Sequence, residues 1–332
     1  MNNKIKKKVV SAMRPTGRLH IGNYHSVIKN WIKLQKNNEC FFFIADMHAL
    51  TTHYDKIEEI KKNIKPLIID WIASGINPKK CKIFLQSDIP EISELHLILS
   101  MITPISWLER VPSYKEKNAI NKCNYGYLGY PILQGSDLII FESDLVPIGE
   151  DQIPHIELIR EIIRKINKII KNHNPNNELI KEPIPILNEN KKIIGIDGKK
   201  MSKSNDNAIL ISDDISILEK KVNKIMTDPL RINKNIKGNP NNCNVWNFHK
   251  IYSKKENIYL KKSCEEANIG CVDCKKILLN NIIKEHIPIL KKIKEIEKND
   301  KIIDNILKHN IKKVKKLAKK NLDKFKKLMG FK

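Results

Sequence analysis

The stretch that decides the fold is Cys-Phe-Phe-Phe-Ile-Ala at residues 40–45. Six consecutive apolar residues leave no polar face, which is typical of a parallel strand buried on both sides. Lys8–Met13 predicts another short strand, and helical spacing of apolar residues predicts a helix that starts near His20. A strand, a helix and a second strand in this order predict a βαβ unit, from which α/β domains with parallel sheets are built.

The alternation of strands and helices continues along the first half of the chain. The amphipathic pattern of Asp55–Ala73 predicts a helix, and a longer one is predicted at Gln152–Lys171. Short apolar runs predict strands at Lys82–Gln86 and Leu145–Ile148. We therefore expect an α/β fold, with a Rossmann-like parallel sheet and helices on both faces. In such sheets, ligands bind beyond the carboxyl ends of the strands.

The character of the sequence changes after about Asn205, where strand-like runs vanish. Four basic helices are predicted there, at Ile215–Ile225, Asn257–Ala267, Lys276–Lys298 and Ile302–Met329. The third is expected to break or kink just before Pro288. We expect a nucleotide-binding α/β domain over residues 1–205 and an all-helical, positively charged domain over residues 206–332, whose last helix can pack back on the first domain.

Composition limits the class of protein. The chain has 332 residues, of which 41% are apolar and 30% charged, so it can bury a substantial core. Its 61 Lys and Arg against 37 Asp and Glu leave a net charge of +24, which favours a polyanionic partner, either RNA, DNA or an anionic membrane. No apolar run approaches the roughly 18 residues of a spanning helix, and Val9–Met13 is too short for a signal peptide. We expect a cytoplasmic protein.

A polar motif, Pro15–Asn23, joins the first strand to its helix. Gly17 and Gly22 let backbone approach a ligand closely, and the helix N-terminus attracts phosphate. The side chains of His20 and Asn23 add hydrogen-bond donors. An ordinary strand–helix turn with a surface histidine is the alternative interpretation.

A second motif, Gly198–Ser204, reads Gly-Lys-Lys-Met-Ser-Lys-Ser, and we name it the signature loop. Such a loop can fold over a triphosphate and supply positive charge as the transition state forms. In a chain this rich in lysine, a solvated basic loop is the alternative.

His-Ile-Gly-Asn at 20–23 and Lys-Met-Ser-Lys-Ser at 200–204 together resemble the two signatures of class I aminoacyl-tRNA synthetases, in order and in separation. Tyr130–Asp137, followed by Val146–Gln152, is similar to the tryptophanyl-tRNA synthetases of bacteria, and the likeness extends over nearly the whole chain. Tyrosyl-tRNA synthetases share the Tyr-Pro…Gln…Asp helix. Gly-Glu-Asp-Gln after Val-Pro favours the tryptophan branch.

The resemblance implies a tryptophan–tRNA ligase, which activates L-tryptophan with ATP and Mg²⁺ and transfers it to tRNA(Trp). It assigns catalysis to His20, Asn23, Lys200 and Lys203. It assigns ATP binding to Arg14, Pro15, Thr16, Gly22, Asn23, Gly149, Glu150, Asp151, Lys200, Met201, Ser202, Lys203 and Ser204. It assigns tryptophan binding to Asp137, Tyr130, Gln152, His48 and Gln134, where Gln134 replaces a common Met and Gly135-Ser136 a common Ala pair.

The tryptophan residues have distinct implied roles. The Asp137 carboxylate accepts the indole N–H, a donor that a tyrosine ring lacks at this point. Tyr130 and Gln152 hold the α-amino group, and His48 lies on the carboxylate side. Without the family, His48 reads as a core histidine, Tyr130 as packing, and Asp137 as a helix-face partner of a lysine.

Four cysteines cluster late in the chain, at Cys243, Cys264, Cys271 and Cys274. Four thiolates are enough for Zn²⁺ or for a cubane cluster. The spacing is similar to that of a subgroup of tryptophanyl-tRNA synthetases with an iron–sulfur cluster. The resemblance implies a structural [4Fe–4S] cluster, with Zn²⁺ or four unconnected thiols as alternatives. Disulfides are not expected, and Cys40, Cys81 and Cys123 are scattered.

The resemblance also implies a homodimer, with a pairing surface that includes the segment Trp107–Tyr114, and an anticodon-binding role for the helical domain. Two other functions stay open at this point. One is a tyrosyl-tRNA synthetase. The other is a non-catalytic RNA-binding iron–sulfur protein on a synthetase scaffold.

Overall fold

A computed structural model describes residues 6–118, 123–187, 193–202, 205–299 and 301–331. Its strands form one five-stranded sheet in the order β3-β2-β1-β4-β5, and all neighbouring strands run parallel. The strands are β1 (Lys8–Met13), β2 (Glu39–Ile44), β3 (Cys81–Leu85), β4 (Leu145–Ile148) and β5 (Ile184–Leu187). This is a doubly wound order, and it confirms the predicted α/β fold class.

Helices connect the strands and make up the C-terminal part. They are α1 (Ile21–Asn23), α2 (Lys29–Leu34), α3 (Asp46–His53), α4 (Ile57–Ala73), α5 (Pro90–Ile102), α6 (Ile105–Glu109), α7 (Pro112–Asn118), α8 (Tyr125–Ile140), α9 (Ile153–His173), α10 (Ile215–Asn223), α11 (Asn244–Tyr252), α12 (Asn257–Glu265), α13 (Cys271–Glu297) and α14 (Lys301–Leu328). A π-helical turn, Tyr24–Ile28, joins the first two. Within the described ranges, no helix is long and apolar enough to cross a membrane.

The two faces of β2 pack into separate cores. Phe42 joins the core that contains Trp31, on which its ring stacks at 4.3 Å between centroids, while Phe41 and Phe43 join the core on the other face. All three phenylalanines are buried. The apolar run therefore forms a strand covered on both sides, which the sequence predicted.

The C-terminal helices share these cores. Leu218 of α10, Phe248 of α11 and Ile282 of α13 belong to the same core as Trp31. The last helix, α14, begins in this core with Ile303 and then packs on the opposite face, where the side-chain amide of Asn321 donates to the Ile140 carbonyl at 2.8 Å. The sheet is therefore covered by the C-terminal part of the chain on both sides.

The break predicted before Pro288 is wrong, because α13 runs without interruption from Cys271 to Glu297. Proline removes one backbone hydrogen bond and disfavours a helix interior. Ile289 and Ile293, just beyond it, are buried. Tertiary packing of this apolar face holds the helix together through the proline.

Candidate active site

The turn that follows β1 is shaped by its own side chains. His20 caps α1, and its Nδ1 accepts a hydrogen bond from the Asn23 backbone N at 3.1 Å. A Cβ atom on Gly22 would lie 2.8 Å from that Nδ1, so only glycine lets the imidazole close over the turn. The absence of a side chain at Gly22 therefore leaves the space that the His20 imidazole occupies when it caps α1.

A buried ion pair fixes the residues just before this turn. Arg18 Nη2 lies 2.7 Å from Oδ1 of Asp70, whose carboxylate is fully buried in α4. The other carboxylate oxygen accepts the Leu19 backbone N–H at 2.8 Å. Asp70 thus anchors the motif to the helix that follows β2.

The two motifs lie next to each other in space. The Ile21 backbone N–H donates to the carbonyl of Ile209, beyond the signature loop, at 2.9 Å. Met201 of the loop is buried, and its Sδ lies 3.4 Å from the position of a Cβ on Gly22. The described part of the loop thus packs against the start of α1. Lys203 and Ser204 lie outside the described residues.

Asn207 holds the signature loop from below. Its Oδ1 accepts the Ser202 backbone N–H at 2.8 Å, and its Nδ2 donates to Asp197 Oδ1 at 2.8 Å and to the Lys200 carbonyl at 3.1 Å. The Lys200 side chain is exposed. Asn207 was not predicted as a site residue, since the sequence shows only a polar residue three positions after Ser204.

The base of the loop is tied to the helical part of the chain. Asn244, the first residue of α11, donates to the Gly195 carbonyl at 2.7 Å and to the Ile196 carbonyl at 3.3 Å. Asn244 directly follows Cys243, one of the four clustered cysteines. The residue that bonds the base of the loop is thus the immediate neighbour in sequence of one of the clustered cysteines.

A cavity of about 520 Å³, which we name the central cavity, opens at the carboxyl ends of β1, β2 and β4. This volume is in the range of small-molecule sites. Seven of the predicted residues line it, namely Arg14, His48, Tyr130, Gln134, Asp137, Gly149 and Gln152. The other described candidates are not part of its lining: Pro15, Thr16, His20, Gly22, Asn23, Glu150, Asp151, Lys200, Met201 and Ser202.

Asp137 of α8 is the buried acid of the central cavity, with 3% of its surface exposed. Gln86 Nε2 donates to its two carboxylate oxygens at 2.9 and 3.0 Å, and His48 Nε2 lies 3.2 Å from Oδ2. Burial raises the pKa of Asp137, while the hydrogen bonds from His48 and Gln86 act in the opposite direction. The carboxylate is thus held in a fixed orientation toward the cavity.

Gln86 was not predicted as a site residue, although it is completely buried beside Asp137. It follows β3, in a short 3₁₀ turn over Gln86–Asp88. Its Oε1 accepts the His48 backbone N–H at 3.2 Å, so one amide orients two predicted residues. A signal existed, because a polar side chain at the end of a buried strand points to a ligand edge.

Tyr130 belongs to a small polar network on the opposite wall. Its hydroxyl lies 2.7 Å from Ser113 Oγ and 2.8 Å from His155 Nε2. Burial lowers the pKa of His155 to about 4, so its imidazole is neutral at pH 7. Burial also raises the pKa of Tyr130 to about 12. All three groups are therefore uncharged at neutral pH.

The turn after β4 carries Gly149 and leads into α9. A Cβ atom on Gly149 would lie 2.7 Å from Asp151 Oδ1, so a larger residue at this point would have to displace the Asp151 side chain. Gln152 Nε2 donates to Asp151 Oδ2 at 3.4 Å. The departures Gly135 and Ser136 are not part of the cavity lining, and a Cβ on Gly135 would meet Ile159 of α9 at 3.4 Å.

The four clustered cysteines lie near one another, and two of them contact Arg231. Its Nη1 lies 3.6 Å from Cys264 Sγ and 4.0 Å from Cys271 Sγ, and its buried Nε has no hydrogen-bond partner among the described residues. Burial, together with the three other thiols, raises the pKa of Cys274 to about 12. Across the described ranges, however, no three acidic, histidine or cysteine side chains are close enough to hold a metal ion.

The family model of the class I tRNA synthetases for tryptophan and tyrosine (W and Y) matches residues 2–286. The chain belongs to this family. A tryptophan–tRNA ligase of Thermotoga maritima is 42% identical over 330 residues, covering 97% of this chain and 99% of the relative. One from Aquifex aeolicus is 37% identical over 398 residues, with coverage of 97% and 99%.

A family member of known structure has the same fold. The tryptophanyl-tRNA synthetase of Campylobacter jejuni, complexed with ADP and tryptophan, superposes with a TM-score of 0.84 at 31% identity and covers 97% of this chain and 99% of its own. These likenesses confirm the predicted aminoacyl-tRNA ligase and its place in the tryptophan branch.

Proposed function

We propose that this chain activates L-tryptophan in the central cavity and transfers it to tRNA(Trp). The observation that carries the proposal is the buried Asp137 carboxylate, oriented toward the cavity by Gln86 and His48. Indole presents one N–H donor and no acceptor, and a carboxylate is its strongest partner. Tyrosine offers no N–H at this point, so Asp137 would keep its bonds to Gln86 and His48 but lose its partner in the cavity, and a site built on such a bond can discriminate by roughly 10⁴–10⁵.

The remaining cavity residues orient the reacting ends of tryptophan. Tyr130 and Gln152 hold the α-amino group, His48 lies near the carboxylate, and Gln134 completes the wall. Gly149 and Asp151 hold the ribose of ATP on the far side. The lining of the cavity by Tyr130, Gln152 and His48 supports these roles. The two substrates would then meet at the carboxyl end of β1.

The reaction has two steps. A carboxylate oxygen of tryptophan attacks the α-phosphorus of ATP, and the bond to the bridging oxygen of the β-phosphate breaks, which releases pyrophosphate. The terminal tRNA hydroxyl then attacks the acyl carbon, loses its proton and displaces AMP. The protein mainly positions the groups and neutralises charge.

The motifs supply the groups that handle ATP. His20 and Asn23 contact phosphate, while Lys200 and Lys203 clamp the departing pyrophosphate. Mg²⁺ arrives with ATP on its phosphates. The contact of the buried Met201 with Gly22 supports this division, because it brings the exposed Lys200 beside the first motif.

ATP–pyrophosphate exchange without tRNA tests the proposal. We expect exchange that depends on tryptophan, with tyrosine giving no more than background. Tyrosine-dependent exchange would keep the activation chemistry and overturn the specificity. Exchange with neither amino acid, from folded protein, would favour the non-catalytic RNA-binding alternative.

The helical part, residues 206–332, is proposed to bind the tRNA anticodon and stem, and the net charge of +24 supports an RNA partner. A homodimer is proposed through the surface around Trp107–Tyr114. Leu97, Met101 and Ile105 nearby are large, apolar and more than half exposed, which supports a covered face. Sedimentation of the purified chain as a monomer would contradict the dimer.

The clustered cysteines are proposed to hold a structural [4Fe–4S] cluster. The gathering of four thiols beside a buried guanidinium supports it, because Arg231 offers a counter-charge to anionic sulfur. The cluster would pin α11, α12 and α13 together.

Anaerobic purification should give protein with iron and an absorbance band near about 400 nm, since four thiolates can hold such a cluster. Replacing Cys271 by serine should remove most of both. The matched control is Cys123→Ser, outside the group, which should retain them. Zinc without iron, or equal iron in the two variants, would reject the cluster.

A further inference from the structure

His155 is a buried polar residue that the proposed chemistry does not use. It lies in the first turn of α9, with 2% of its surface exposed. Its Nε2 lies 2.8 Å from the Tyr130 hydroxyl and 3.2 Å from Ser113 Oγ, and those two oxygens are 2.7 Å apart. The three groups close a triangle behind the central cavity.

The position of the imidazole proton decides which groups donate and which accept in this triangle. Ser113 and Tyr130 each carry one O–H, and each oxygen can also accept. A neutral imidazole has one ring nitrogen without a proton, which can only accept. His155 Nε2 is the nearer ring nitrogen to the Tyr130 hydroxyl, at 2.8 Å against 3.4 Å for Nδ1. In the tautomer that carries its proton on Nδ1, Nε2 is the acceptor and the Tyr130 hydroxyl donates to it, whereas the opposite tautomer would make Nε2 the donor.

The direction of the Tyr130 proton matters for the substrate. The ammonium group of an amino acid is a donor only, so Tyr130 must offer it a lone pair. That lone pair is available when the hydroxyl proton points away from the cavity. Because burial keeps His155 uncharged at neutral pH, the imidazole also adds no positive charge beside the ammonium.

We propose that His155 is a positioning residue for the substrate α-amino group, because it accepts the Tyr130 hydroxyl proton and turns the lone pairs of that oxygen toward the central cavity. The inference rests on the proposed role of Tyr130. The affinity for tryptophan then depends on a residue that does not contact the ligand.

Two ligands test it. L-tryptophan and indole-3-propionate differ in the α-amino group and share the indole and the carboxylate. Binding of both is measured by calorimetry to the wild type and to His155→Phe. We expect the variant to bind tryptophan about tenfold more weakly, the value of one hydrogen bond to a charged partner, and indole-3-propionate within about twofold of the wild type.

Further variants separate the possible causes. His155→Gln places an acceptor oxygen in the same space and should restore most of the affinity, and His155→Leu serves if the phenylalanine variant does not fold. In a Tyr130→Phe background, loss of His155 should have no added effect on tryptophan. Equal losses for the two ligands, or additive losses in the double variant, would overturn the proposal. A wild type that does not prefer tryptophan over indole-3-propionate would instead reject the role given to Tyr130.

Discussion

Replacing Asp137 by leucine is expected to lower kcat/KM for tryptophan in ATP–pyrophosphate exchange by about 100- to 1000-fold. A hydrogen bond to a charged acceptor contributes about 1.5–3 kcal/mol, and an indole N–H left unpaired in a closed site adds a further desolvation cost. Gln86 and His48 also lose their acceptor in this variant. Asp137→Asn should be impaired too, because its amide presents donors to the Gln86 amide.

The control for Asp137 is a substrate that lacks the N–H. Benzothienyl-alanine keeps the shape of tryptophan and replaces the ring nitrogen by sulfur. The wild type should strongly prefer tryptophan, and the leucine variant should use both at similar rates. A variant that still prefers tryptophan would show that another group reads the indole N–H.

Replacing Lys203 by alanine should slow formation of tryptophanyl-adenylate by about 100- to 1000-fold, the effect of losing one charged contact to a developing transition state. The dissociation constant of tryptophan should change by less than about twofold, because the lysine acts on pyrophosphate. Single-turnover measurements separate the two quantities.

Lys199→Ala is the matched control for Lys203. It removes an equal charge just before the Lys-Met-Ser-Lys-Ser motif, and its side chain is exposed. We expect this variant to keep the rate within about twofold. Equal losses of tryptophan binding and of rate in the Lys203 variant would contradict a role specific to the transition state.

The sheet could be predicted where burial dictates the residues. The predicted bounds of β1 and β4 coincide with the structure, and the apolar run at residues 40–45 marks β2. β5 (Ile184–Leu187) was not predicted, although it is as short and as apolar as β4; unlike β4 it lies at the edge of the sheet, where proline is tolerated and where its first and last residues are exposed. α11 was not predicted either, since its cap is Cys243, which makes no side-chain hydrogen bond there.

Some residues of the site could also be predicted from the sequence, and others could not. His48, Tyr130 and Asp137 were named through the family resemblance, and spacing alone left each of them a bland alternative. Neither Gln86 nor His155 was given a role in the site, because their hydrogen bonds go to other side chains. Such residues become visible only when the fold brings distant segments together. Gln86 is 51 positions from the acid that it orients.

The bond from Asn244 to the base of the signature loop has a mechanical consequence. Because this amide holds the Gly195 and Ile196 carbonyls, the root of the loop moves with α11. A small rotation of α11 about its N-terminal end, which Cys243 caps, would therefore displace the loop. In hydrogen exchange, the amides at the loop root should therefore open in concert with those of α11, as one cooperative unit that bridges the two parts of the chain.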